Sequence, residues 1–369
     1  MKRRYKLLLW TSGTLGVAVI ALRLVISHDS PCGAGSPLAS GVPTMKGWAL
    51  RCYGGPEVLQ YEDVAKPVAA DDEVIVEVRA ASVNPLDWHY MRGKPYVMRL
   101  MGTGIGAPSD PLLGVDFAGV VDSVGRNVTK FKPGDEVLGG GDGAFSEYIR
   151  VRESRNIALK PANLSFVEAA AIPIAAVTAL QALRDTGKLK AGEKVLINGA
   201  SGGVGTFAVQ LAKSFGAEVT AVCSGRNVEL VRSLGADHVI DYTKDVFTQG
   251  KAQYDLIIDS VTTHPLSDYR RVLTPKGRFV IVGSNKDGDY LGPVTDVLKA
   301  NAYDPFVSQQ YGFMMAALKP EDLTTLRDLM AEGKIRSVID RTYKMSELPD
   351  AIRYVETGRA RGKVVVSFE

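Results

Sequence analysis

Residues 194–210, reading Lys-Val-Leu-Ile-Asn-Gly-Ala-Ser-Gly-Gly-Val-Gly-Thr-Phe-Ala-Val-Gln, constrain the fold more than any other stretch. Val195 to Ile197 form a short apolar run, the signature of a strand covered on both faces. Gly199, Gly202, Gly203 and Gly205 then leave backbone room where side chains would block a ligand. The following helix carries Phe207, Leu211 and Phe215 at spacings of four, one apolar face for packing on a sheet. Its free N-terminal amides and dipole suit a pyrophosphate. A glycine turn alone is a weak signal. In this strand–turn–helix context it predicts a dinucleotide site, with Gly199, Ser201, Gly202, Gly203 and Val204 against the cofactor.

The segments that follow repeat the alternation. Strands are expected at Glu218–Cys223, His238–Asp241, Tyr254–Asp259 and Arg278–Gly283, with helices at Asn227–Leu234 and Leu266–Leu273 between them. This is the pattern of a doubly wound parallel sheet, and the fold class is α/β. The alternation begins near residue 163 and stops near 298. Residues 45–162 read differently. Glu73 to Ala80 alternate polar and apolar at period two, and Lys132-Pro133-Gly134-Asp135 marks a turn between short strands, as in a small β-rich domain. The last apolar run, Lys363 to Phe368, needs a sheet to join. Assigning it to the first domain makes 299–369 the second part of that domain and the nucleotide domain an insertion.

The N-terminus is a separate matter. Residues 1–30 hold Lys2, Arg3, Arg4, Lys6 and Arg23 against Asp29, a charge of +4, so the remainder of a chain with net charge +3 carries −1. No nucleic-acid face is expected. Leu7 to Ile26 is a nearly uninterrupted apolar run close to the ~20 residues that span a bilayer. A hydrophobic helix over residues 1–28 is expected, as a membrane anchor or uncleaved signal; the alternatives are a cleaved signal peptide, or a globular protein starting at Met45. The positive-inside rule would leave Lys2 to Lys6 in the cytoplasm and send the rest across. The catalytic part is instead expected on the cytoplasmic side, where the cofactor is available. Residues 29–44, rich in Pro, Gly and Ser, read as a linker. The cysteines, Cys32, Cys52 and Cys223, stand alone; no disulfide framework is expected.

The end of the second sheet strand bears on the cofactor. An enzyme for NAD usually has an acid there to hold the ribose hydroxyls. This chain has Cys223-Ser224-Gly225-Arg226. Ser224 offers a hydrogen bond and Arg226 a charge to a 2′-phosphate, which points to NADPH.

Taken in order, Ala81–Gly93 (containing Asn84-Pro85-Leu86-Asp87-Trp88-His89-Tyr90), Gly114–Gly119, Lys132–Val137, Gly199–Gly205, Leu234–Asp237 and Ala360–Lys363 make residues 45–368 resemble a medium-chain dehydrogenase/reductase, in the zinc-free quinone oxidoreductase branch. The resemblance implies a GroES-like catalytic domain around a Rossmann domain, a cleft active site and homodimers. It also implies further cofactor contacts: Thr178, Val282 and Gly283 near the nicotinamide, Tyr242 beside the 2′-phosphate, Ser260 and Val261 under the ribose, and Lys363 near the C-terminus. Zinc-dependent relatives place a cysteine where this chain has Asn84 and His-Glu where it has Val115-Asp116. Residues 173–177 contain no Cys or His. No metal is expected.

Without a metal to polarise an alkoxide, hydride addition to a quinone or a conjugated carbonyl demands less of the protein than alcohol oxidation. A donor aimed at the substrate oxygen would help. Asn84 could donate through its amide, Tyr90 or Tyr96 through a phenol; His89 could pass a proton and Asp87 orient a neighbour. The expected reaction is therefore hydride transfer from NADPH to a quinone, enal or enone. The alternatives are a zinc-free alcohol or aldehyde oxidoreductase and a non-catalytic NADPH-binding protein.

Overall fold

The computed structural model of the protein describes residues 20–35, 37–283, 288–292, 295, 299 and 308–368. The apolar run Leu7–Ile26 lies mostly outside them. Its described end, 20–27, is helical. Among the described residues no helix is long and apolar enough to cross a membrane.

The catalytic domain opens with the antiparallel pair β1 (Thr44–Leu50) and β2 (Leu59–Ala65). Then follow β3 (Glu73–Val83), β4 (Asp116–Val124), β5 (Glu136–Gly140), β6 (Tyr148–Arg152) and β7 (Ile157–Leu159). The nucleotide domain supplies β8 (Lys194–Asn198), β9 (Glu218–Cys223), β10 (His238–Asp241), β11 (Tyr254–Asp259), β12 (Leu273–Ile281) and β13 (Gln310–Phe313). The chain ends with β14 (Ile339–Lys344) and β15 (Lys363–Ser367).

The nucleotide sheet runs β10-β9-β8-β11-β12-β13, all parallel. Val195 and Ile197 pack into one core and Leu196 into the core on the opposite face. That is why β8 reads as a continuous apolar run. The expected end of this domain at 298 is too early: Gln310–Phe313 adds an edge strand beside β12. Four residues are too few to show a period, so the sequence gives no sign of it.

The second sheet runs β14-β15-β3-β4-β5-β7, with β6 also on β3. The last strand, β15, pairs antiparallel with β3, returning the C-terminus to the first domain. Helix Phe166–Ala170 starts at Ser165, whose hydroxyl accepts from Glu168 N while Glu168 reaches back, a capping box that marks the crossing into the inserted domain.

Residues 29–44 are not a free linker. Cys32 and Cys52 form a disulfide, correcting the expectation of unpaired cysteines there; a 20-residue separation with no motif gave no pairing signal. The side chain of Arg99 is fully buried. It donates to the carbonyls of Gly93, Ile26 and His28 and pairs with Asp29 at 2.7 Å. Its guanidinium lies over the Tyr53 and Tyr96 rings.

Candidate active site

A cleft of about 640 Å³ runs between the two domains. On one side lies the turn Asn198–Gly202 and helix Gly203–Ser214; on the other lie Val83, Asn84, Pro85 and the segment 355–364. Gly202 caps the helix with extended backbone, and no side chain caps it, so first-turn amides remain for a ligand. Gly205 has a steric reason: a Cβ there would stand 2.2 Å from the carbonyl oxygen of Gly199. The helix can approach the strand only without a side chain.

The basic end of the cleft is formed by Ser224, Arg226 and Tyr242. Arg226 is steadied by donating to Arg359 O at 2.9 Å. Asn227, not anticipated from the sequence, is buried and donates to both Ser201 Oγ and Ser224 Oγ, at 2.9 and 3.1 Å. Its Oδ1 is buried and unpaired, as is Ser260 Oγ. Such orphans at a cleft suit a ligand with hydroxyl and phosphate groups. Asp259 shapes the neighbouring loop by accepting from Val261 N, Thr262 N and Asn198 Nδ2. These residues fit a dinucleotide.

The opposite wall holds a buried polar cluster. Asn84 follows β3 and is the N-cap of helix Pro85–Arg92; its backbone N–H donates to Asp87 Oδ2 at 2.7 Å. Asp116, at the start of β4, has no exposed surface. Its Oδ2 accepts from Ser82 Oγ and Asn84 Nδ2, each at 2.9 Å, and Oδ1 accepts from Ile174 N at 3.0 Å. Lys363, first in β15, donates to Asn84 Oδ1 and stands 3.7 Å from Asp116 Oδ2. With a carboxylate on its nitrogen and an ammonium on its oxygen, the Asn84 amide has one orientation.

Burial pushes the Asp87 carboxyl up to about 7, with the nearby Asp116 adding to it against the Asn84 N–H and Lys363. Burial also raises Asp116, opposed by Lys363 and by its donors. Burial lowers Lys363, opposed by Asp116 and Asp87. Of these groups Lys363 lines the cleft, and the two carboxylates lie buried behind it.

The expected residues do not all meet there. Gly199, Ser201, Gly202, Gly203, Val204, Ser224, Arg226, Tyr242, Ser260, Val261, Lys363 and Asn84 line the cleft, whereas Asp87 lies buried behind Asn84. Thr178, Val282 and Gly283 are not on its lining. Nor are Tyr90 and His89. Tyr90 Oη accepts from Asp110 N, and His89 Nδ1 donates to Lys94 O, its basicity lowered by burial. Tyr96 packs on Tyr290, ring centroids 5.2 Å apart. Asn84 cannot serve as the anticipated amide donor in this arrangement, because its Nδ2 faces Asp116 and, at 3.4 Å, Ser82 O. The sequence did not reveal Asp116 as a site residue; it stood out only as a replaced metal ligand. Among the described residues no group of three His, Cys, Asp or Glu side chains could hold a metal ion.

A GroES-like domain and a Rossmann domain enclosing such a cleft define a nucleotide-dependent oxidoreductase of two domains. Residues 70–162 match the family model of the alcohol dehydrogenase GroES-like domain, and residues 234–366 that of the zinc-binding dehydrogenases. The tomato (Solanum lycopersicum) 2-methylene-furan-3-one reductase is 35% identical, over 94% of this chain and 85% of its own. Mouse (Mus musculus) mitochondrial NAD(P)H oxidoreductase RTN4IP1 is 36% identical, over 88% of this chain and 89% of its own. The solved quinone oxidoreductase of Coxiella burnetii superposes with a TM-score of 0.76 at 30% identity, covering 89% of this chain and all of that one. The chain belongs to the medium-chain dehydrogenase/reductase family, among its quinone oxidoreductase-like members.

Proposed function

We propose that the protein is a zinc-independent reductase that uses NADPH to reduce a quinone or an α,β-unsaturated carbonyl. The observation that carries this reading is one continuous cleft, from Ser224 and Arg226 across the bare helix start at Gly203 to Asn84 and Lys363. The nicotinamide would supply the hydride. Ser201, Ser224, Arg226, Tyr242 and Asn227 would hold the adenosine end, and Ser260 and Val261 the ribose. Thr178, Val282 and Gly283 are assigned to the nicotinamide end on family resemblance. NADPH rather than NADH rests on Ser224 and Arg226 at the end of β9.

Lys363 fills the position facing Asp116, so the carboxylate where zinc-dependent relatives place a ligand residue already has a cation of the chain beside it. That donor set suits a cofactor and an organic acceptor better than a metal. The names of the tomato and Coxiella relatives point to the acceptor class: one reduces a methylene-furanone, a conjugated enone, and the other a quinone. A homodimer through the outer edge of β13 and anchoring through residues 7–26 belong to the same proposal. They are supported by the place of β13 at the end of the sheet and by the apolar sequence.

The test is nicotinamide oxidation by the purified full chain with a panel of quinones, enals, enones and simple aldehydes. Turnover of the first three classes, well above that of aldehydes, is expected. Turnover confined to aldehydes would replace this reading with the alcohol/aldehyde one, and no turnover would remove the enzyme assignment.

A further inference from the structure

Lys363 sits where three things meet. Its stem lies over the helix start: a Cβ placed on Gly203 would stand 3.0 Å from Lys363 Cδ. Its ammonium reaches the catalytic wall at Asn84 Oδ1. Its neighbour Gly362 bridges to Gly202 in the glycine turn. It is the lysine of the cleft lining, and its side chain is 4% exposed. Its ammonium also donates to Val83 O at 3.4 Å, and Asp116, 3.7 Å away, is its charge partner and fixes the Asn84 amide that Lys363 touches. The three side chains come from β15, β4 and the end of β3, and the buried Asp116 is their common partner.

We propose that Asp116 is a positioning residue acting through Lys363, anchoring its ammonium together with Asn84 where the catalytic wall meets the glycine turn. This rests on the functional reading above in one respect, that an anionic nucleotide enters the cleft. Two carboxylates bear on the ammonium: Asp116 from β4 and Asp87 from helix Pro85–Arg92. Burial alone favours the neutral amine, and Asp116 is the larger of the two charges opposing it. Removing that charge would let Lys363 lose its proton at lower pH, and the cleft would lose a cation beside the helix start.

The experiment is NADPH affinity against pH, by fluorescence, on the full chain. The wild type is expected to weaken at alkaline pH, as Lys363 deprotonates. In Asp116→Asn that weakening should begin about one pH unit or more lower, whereas Asp116→Glu, which keeps the charge, should restore it to within about half a unit. A purely structural role would lower affinity equally at every pH. Should Asp116→Asn not fold, Lys363→Arg serves: arginine stays charged, so the alkaline weakening should vanish. A folded Asp116→Asn with an unmoved profile, or a profile in Lys363→Arg that still falls at alkaline pH, overturns the proposal. A wild type that binds NADPH with the expected profile but reduces no acceptor would sink the functional reading and leave this inference standing. No NADPH uptake by the wild type overturns both.

Discussion

The backbone N–H of Gly362 donates to the carbonyl oxygen of Ser201 at 2.9 Å. The strand that closes the catalytic domain is thereby stitched to the turn of the nucleotide domain, and residue 363 is delivered to the cleft by this contact. Gly362 has φ of +96°, and a Cβ there would stand 2.2 Å from Val338 O. Gly362→Ala should therefore cost about 2–4 kcal/mol of stability, through backbone strain and a clash with main chain that cannot turn away. Thermal unfolding and NADPH titration together check it: both stability and affinity should fall. A variant with wild-type values of each would show that the bridge is dispensable.

Asp87 gives a pH dependence of stability. Its folded-state carboxyl titrates near 7, above the ordinary 3.8. The folded protein therefore holds a proton that the unfolded chain has released between those values, so this group makes stability fall as pH rises from about 4 to 7. The full effect is at most about 4 kcal/mol. Asp87→Asn keeps an oxygen for the Asn84 N–H and cannot ionise. Its stability relative to wild type should rise steadily across that window and level off above it. Denaturant melts at a series of pH values would measure this, and a constant difference from pH 4 to 8 would exclude Asp87 as the titrating group.

Arg226 tests the choice of nucleotide. It lines the basic end of the cleft and its guanidinium is held by Arg359 O. A charge-assisted hydrogen bond to a 2′-phosphate contributes roughly 1.5–3 kcal/mol. Arg226→Asp should therefore raise the KM for NADPH about tenfold or more while changing that for NADH little. An unaltered ratio of the two would reassign the cofactor.

How much of this was legible in the chain divides along physical lines. The glycine turn and β8 to β12 declare themselves because a buried parallel strand leaves a continuous apolar run and an amphipathic helix a local period. The position of Ser224 and Arg226 at the end of β9 was readable because it depends only on distance from the turn. The Asp116 cluster was not: Ser82, Asn84, Asp116 and Lys363 are brought together by pairing of β15 and β4 on either side of β3, and nothing local encodes an encounter across 281 residues, from Ser82 to Lys363. For the same reason the sequence shows Asn84 only as a free amide donor. Its partner was out of view. Tyr90 and His89 have side chains of the right chemical type, but neither lies on the cleft lining.

The cysteines supply the last prediction. Cys32 and Cys52 are joined, and Cys223 is buried, with burial and then Asp241 pushing its thiol up to about 11. A thiol that is both inaccessible and protonated does not react with disulfide reagents at neutral pH. The native oxidised protein should therefore show no titratable thiol, the denatured oxidised protein one, and the denatured reduced protein three. Reduction should also lower stability by about 3 kcal/mol, the scale expected for opening a loop of this length. The loss should be local as well as global. Freed from Cys52, residues 29–44 keep the Arg99–Asp29 pair and the Ser30 N–H bond to Gly106 O near the N-terminal end, so limited proteolysis of the reduced protein should cut in this segment first. Equal cutting of oxidised and reduced protein would show that these contacts secure the segment without the disulfide, and three reactive thiols before reduction would remove the disulfide itself.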